Sequence, residues 1–164
     1  MRSITVVALW LTVHTAAVFA EPWNPGEALD VCLEAALKQR PGVVTAWRQA
    51  GGGDKPPYAV SVLNADGRIA EATCDPTNPA SLQFKDKGGL YRYEMYRRAT
   101  FPEAKARSAA PEIFVGPVRI IAMDLRVSFT GKPHFVYQMF LPSGHKAVVS
   151  VEATVGRLTK AEVE

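Results

Sequence analysis

The sequence predicts an α+β protein built as two tandem units, each a helix packed on an antiparallel sheet. Three observations predict it. Apolar residues make up 48% of the chain, a share that excludes a disordered composition. Two helix-start signals lie 76 residues apart, at Glu27 and Glu103. Each is followed by period-two alternation and tight turns, the pattern of hairpins.

The first twenty residues stand apart. Arg2 supplies a positive end, residues 4–13 are an apolar run broken by threonines, and Val18-Phe19-Ala20 sets small residues at −3 and −1 of a cleavage site. That is the layout of a secretory signal. The run is shorter than the roughly 20 apolar residues of a membrane span. No cysteine follows it that could carry a lipid, and no second run of spanning length occurs downstream. The expectation is an exported protein without a transmembrane span, periplasmic if the cell has an outer membrane and otherwise secreted. The formal charge of +3 is too small to imply nucleic acid. The divisions that follow are 1–20 signal, 21–79 first unit, 80–99 a linker or joining strand, and 100–164 second unit.

Each element has a local reason. Asn24-Pro25-Gly26-Glu27 combines a cap, a proline suited to the first helical position and a carboxylate for a capping box. Leu29, Cys32, Leu33, Ala36 and Leu37 then form one apolar stripe, and Pro41-Gly42 stops the helix. Residues 43–48 are a short β-branched strand, with Trp47 expected to pack against the sheet. After a Gly- and Pro-rich loop, residues 58–63 and 68–74 flank the turn Asn64-Ala65-Asp66-Gly67. Trp23 is either a hydrophobic staple on the first helix or an exposed anchor.

The second unit repeats the order. Thr100-Phe101-Pro102-Glu103 reads as another capping box, opening a helix that Pro111 ends. Ile121, Met123, Leu125, Val127 and Phe129 alternate with smaller or polar residues on a half-buried strand. Residues 135–141 and 146–154 flank a further turn. Gly67 and Gly144, and Tyr58 and Phe135, lie 77 residues apart. Ala70, Ala72 and Cys74 correspond to Ala147, Val149 and Val151, and Cys32 to Ser108. The nearly constant offset reads as duplication.

Cys32 and Cys74 are the only cysteines. In an oxidising compartment two cysteines most simply form one disulfide. A metal pair would need two further ligands, and His134 and His145 do not give a zinc spacing. Cys32 sits on a buried stripe, which disfavours a catalytic thiol. No nucleophile elbow, His-Glu-x-x-His, phosphate loop or dinucleotide fingerprint is present. Ser143-Gly144-His145 joins a hydroxyl to an imidazole, but in a hairpin turn, whose chemistry explains Ser143 and Gly144 better than catalysis does. No catalytic residue, metal or cofactor is assigned.

Between the units, residues 90–98 hold three tyrosines, a methionine and three arginines. These residue types are enriched at interfaces. Tyr91, Arg92, Tyr93, Tyr96 and Arg97 are therefore the candidate partner-binding residues. The simpler reading is an extra strand or helix joining the units, with the tyrosines half buried.

The first unit resembles a PepSY domain. The likeness lies in the helix from Glu27-Ala28-Leu29 to Ala35-Ala36-Leu37, then Pro41-Gly42-Val43-Val44, the strand and turn of residues 58–67, and a strand ending in Cys74-Asp75. Gly116-Pro117-Val118, residues 135–144 and Gly156-Arg157-Leu158 take the corresponding places in the second unit. The resemblance implies a PepSY-like or cystatin-like arrangement and a non-catalytic, inhibitory or regulatory binding module. Architecturally, tandem helix-plus-sheet units are also similar to the β-lactamase inhibitory protein, with no shared motif. The expected function is a non-enzymatic exported module that recognises a protein or peptide in the cell envelope. The alternatives are an inhibitor in trans of a secreted hydrolase, protease or β-lactamase-like, and a small periplasmic enzyme with a pocket near His134 or His145.

Overall fold

A computed structural model describes residues 25–52 and 55–164. The signal segment, Trp23 and the Asn24 cap lie outside the described residues.

The described residues form one antiparallel sheet of eight strands, and this overturns the expectation of two separate helix-plus-sheet units. Helix α1 (Pro25–Gln39) is followed by β1 (Val43–Gln49), β2 (Tyr58–Leu63), β3 (Ile69–Cys74) and β4 (Lys85–Gly88). A single turn of helix, α2 (Tyr93–Tyr96), and helix α3 (Glu103–Ala109) come next. Strands β5 (Arg119–Val127), β6 (Pro133–Phe140), β7 (Lys146–Glu152) and β8 (Leu158–Val163) complete the chain. The spatial order is β4-β3-β2-β1-β5-β6-β7-β8. The sheet is continuous because β1 pairs with β5, at Ala46–Asp124, Trp47–Met123 and Arg48–Ala122. A backbone ladder uses N–H and C=O groups that every strand carries, so side-chain alternation did not reveal it.

The register divides the sheet into two faces. One row across it runs Ala72, Val60, Trp47, Met123, Tyr137 and Val149, and all six are buried. The helices cover this side. Ala28, Leu29, Cys32 and Ala36 of α1 are buried in the same core, and small residues at 28, 36, 70 and 72 let helix and sheet approach closely. The adjacent row runs Glu71, Ser61, Ala46, Asp124, Val136 and Ser150. All of these are half-buried, so the opposite face is left open, as antiparallel sheets allow.

The disulfide is present. Cys32 of α1 and Cys74 of β3 are bonded, with Cα atoms 5.7 Å apart. The Tyr58 hydroxyl donates to the Pro25 carbonyl at 3.0 Å and fixes the start of the same helix on β2. Disulfides persist in oxidising compartments, so the bond fits an exported chain. Among the described residues no helix is long and apolar enough to cross a membrane.

Several local expectations change. Residues 85–88, within the segment expected to be a linker or joining strand, form edge strand β4. Residues 90–98 form no strand but an irregular stretch and the one turn of α2. The Thr100–Glu103 capping box is not made: Pro102 precedes α3 without a side-chain cap, and Glu103 turns inward instead. Ser108, matched to Cys32, is exposed and bonds the Ala104 carbonyl; Ala106 and Ala110 fill the buried positions. Leu37 and Phe129 are exposed. The strand expected over residues 146–154 ends at Glu152, and a further strand, β8, follows.

Candidate functional site

The segment after β4 is held against the β2–β3 turn. Gly67 has φ +82°, and a Cβ there would lie 2.7 Å from the Tyr91 carbonyl oxygen. Only glycine combines that backbone with so close an approach. The Tyr91 N–H donates to the Gly67 carbonyl at 2.9 Å. From this anchor the chain turns into α2, where Tyr96 meets Tyr91 edge to face, with centroids 6.1 Å apart. Burial, and then the neighbouring Tyr91, raise the Tyr96 hydroxyl above its ordinary pKa.

The five candidate residues are therefore neighbours, but not equivalent. Tyr91, Arg92 and Arg97 are exposed, while Tyr93 and Tyr96 are half-buried. Arg97 is paired with Glu94 at 2.6 Å, a surface pair of little energetic weight. Tyr91, Arg92 and Tyr93 join Asp66, Met95 and Arg98 around a hollow of about 530 Å³. A second hollow of about 280 Å³ is lined by Ala46, Ser61 and Asp124 of the open face together with Tyr91 and Tyr96. The aromatic segment thus reaches the open face of the sheet through Tyr91 and Tyr96.

Charge on that face is mixed and locally matched. Glu71 accepts from Arg48 at 3.0 Å and faces Lys87 at 3.3 Å, and Asp124 pairs with Arg126 at 3.2 Å. No single sign dominates these pairs.

The helix side holds a cluster that sequence reasoning missed. Glu103 has 17% of its side chain exposed. Its Oε1 accepts from Trp47 Nε1 at 3.2 Å and from the Tyr137 hydroxyl at 3.3 Å. Arg107, one turn later, brings Nε within 3.5 Å of the other Glu103 oxygen and gives Nη2 to Asp30 of α1. Its guanidinium carbon sits 6.0 Å from the Trp47 ring centroid. Nη1 has no hydrogen-bond partner among the described residues. Desolvation pushes the Glu103 carboxyl above its ordinary pKa, against Arg107, Trp47 and Tyr137, which pull it down. Desolvation and the Glu103 charge push the Tyr137 hydroxyl far up. The cluster borders a cleft of about 460 Å³ between α1 and α3, with Trp47 and Tyr58 in its wall. The only sequence signal was Glu103 itself, and its place at a helix start offered a simpler use.

Ser143 and His145 do meet, Oγ to Nδ1 at 3.0 Å, but on an exposed hairpin tip. His134 lies near Thr159, 3.4 Å from its hydroxyl. Among the described residues no group of three or more His, Cys, Asp or Glu is placed to hold a metal ion.

No family model matches the chain, so the PepSY resemblance stands on the quoted motifs alone. No curated protein matches it. Among solved structures, the chain is similar to a protein of Clostridium difficile 630 provisionally described as a lipoprotein, at 14% identity and a TM-score of 0.49. The match covers 83% of this chain and 91% of that one.

Proposed function

We propose that the chain is a non-enzymatic exported binding module that recognises a protein or peptide in the periplasm. The open face of the sheet and the 90–98 segment along it would form the contact surface. The observation that carries this reading is the shared hollow in which Tyr91 and Tyr96 adjoin Ala46, Ser61 and Asp124. Tyrosine offers large contact area at low conformational cost, and arginine adds multidentate hydrogen bonding. Inhibition in trans of a secreted hydrolase is the narrower form of the same proposal.

Crosslinked capture from the cell envelope tests it, repeated with Tyr91→Ala, Tyr93→Ala and Arg97→Ala. The expected result is loss of a specific partner while the variants keep the wild-type unfolding midpoint. An unchanged set of partners overturns the assignment of this surface. Turnover of a substrate, abolished by one substitution that leaves the fold intact, overturns the non-enzymatic reading. An activity screen against envelope hydrolases separates an inhibitor from a scaffold.

A further inference from the structure

Among the described residues no strand pairs with the outer side of β4 or β8, and these two edges of the sheet are built differently. A free edge carries unpaired N–H and C=O groups and is a template for another strand. Edge β4 is Lys85-Asp86-Lys87-Gly88, four exposed residues dense in charge, a form that discourages pairing. Edge β8 has six exposed residues, Leu158-Thr159-Lys160-Ala161-Glu162-Val163. Its large apolar residues, Leu158 and Val163, are 44% and 57% exposed.

The backbone of β8 restricts what can join it. Glu164 donates its N–H inward to the Lys146 carbonyl at 2.8 Å. Antiparallel ladders alternate inward and outward groups, so Ala161 and Val163 turn their backbone groups to the free edge. Thr159, at the bulge opposite Ser150 and Val151, bonds the Ser150 carbonyl through its hydroxyl at 3.1 Å. The best-formed part of the edge is therefore Lys160 to Val163.

A second copy of β8 fits this edge in one register. An antiparallel copy must set outward residues opposite outward residues. Pairing Ala161 with Thr159 of the copy sets Lys160 against Lys160. Pairing Ala161 with Val163 sets Glu162 against Glu162. Pairing Ala161 with Ala161 sets Lys160 opposite Glu162 twice, in the closer, non-hydrogen-bonded positions. We propose that β8 pairs antiparallel with β8 of a second copy, about a twofold axis at Ala161. The result is a homodimer with one sheet running through both copies. The axis stands perpendicular to the sheet, so both open faces look the same way. The inference does not depend on what that face binds. One strand pair is a small interface, of the class below about 1,200 Å² that gives weak, reversible complexes.

Sedimentation of the purified protein over about a hundredfold range of concentration spanning micromolar values tests this. The expected result is a monomer that becomes a dimer as concentration rises. Lys160→Glu and Glu162→Lys should each weaken association by about tenfold or more, and the double reversal should restore it. Ala161→Cys should crosslink to itself on oxidation, because hydrogen-bonded partners lie about 5.5 Å apart, within disulfide reach. Val163→Cys should not crosslink. All these positions are exposed, so an unchanged unfolding midpoint verifies each fold. A monomer at every concentration, a dimer indifferent to both single reversals, or a double reversal that fails to recover association overturns the proposal.

Discussion

The indole N–H of Trp47 donates to the Glu103 carboxylate at 3.2 Å, tying the central strand to a helix 56 residues further along the chain. The Tyr137 hydroxyl reaches the same oxygen, and Arg107 closes on the other. A carboxylate taken this far out of water depends on such partners. The cluster therefore fixes how α3 sits on the sheet, bonded to β1 through Trp47 and to β6 through Tyr137.

Removing the cation should be costly. Arg107 has 10% of its side chain exposed and faces both Glu103 and Asp30. Arg107→Met strands the Glu103 charge and should cost about 3–5 kcal/mol in urea unfolding. Asp30, 53% exposed, is screened by solvent, so Asp30→Asn should cost about 1 kcal/mol or less. Equal effects of the two substitutions would show that the pairing to Glu103 is not the dominant contact.

Two carboxylates should pull stability in opposite directions with pH. Glu103 is raised above the ordinary 4.5 by desolvation. Its contribution is complete below 4.5 and is lost as pH rises through the native value. Glu152 is lowered, first by the Thr154 hydroxyl and then by Arg157 and Lys132, against desolvation. Its contribution is present above 4.5 and is lost as pH falls through the native value. Unfolding midpoints measured from acid to neutral pH should lose part of their acid-side decline in Glu152→Gln. In Glu103→Gln the decline toward neutral pH should shrink instead.

The disulfide closes a separation of 42 residues. Replacing Cys32 and Cys74 with alanine should lower unfolding free energy by about 4 kcal/mol on the chain-entropy model. Chemical denaturation under non-reducing conditions measures it. A loss below about 1 kcal/mol would mean that residual structure already restrains the unfolded chain.

Gly67→Ala should act on the aromatic segment. The substitution forces a side chain into positive φ and against the Tyr91 carbonyl. A cost of about 1–3 kcal/mol is expected from strain of this kind, together with release of residues 90–98. Faster proteolysis within that segment, at a rate the wild type does not show, is the readout; identical cleavage would dissociate Gly67 from the placement of Tyr91.

Much of the local structure was legible. Alternation of Ala70, Ala72 and Cys74, and the turn at Gly67, follow from period two and from the need for positive φ. The cysteines could be paired because one lay on a helix stripe and the other on a strand face. The whole was less legible, because β1 joins β5 through backbone groups. Glu103 misled because the same carboxylate can cap a helix or accept from a distant indole, and only the fold decides which. Strand β8 carries no buried face, so its pattern gave no signal. Tyr91 and Tyr96 were found by composition, and of the strand or helix expected for their segment one helical turn forms, because the positive φ angles of Gly88 and Gly89 turn the chain out of the sheet.

The seam between β1 and β5 registers three residue pairs, whereas β5 and β6 register eight. The shortest ladder between long strands is therefore the central one. Exposed elements open before buried ones, so amide exchange should be fastest in β4 and β8, whose residues are all exposed, and slowest along the buried row through Trp47, Met123 and Tyr137 that bridges this short seam. Partial unfolding then runs from the edges inward, and Trp47, buried mid-sheet, is the natural fluorescent witness of its last step.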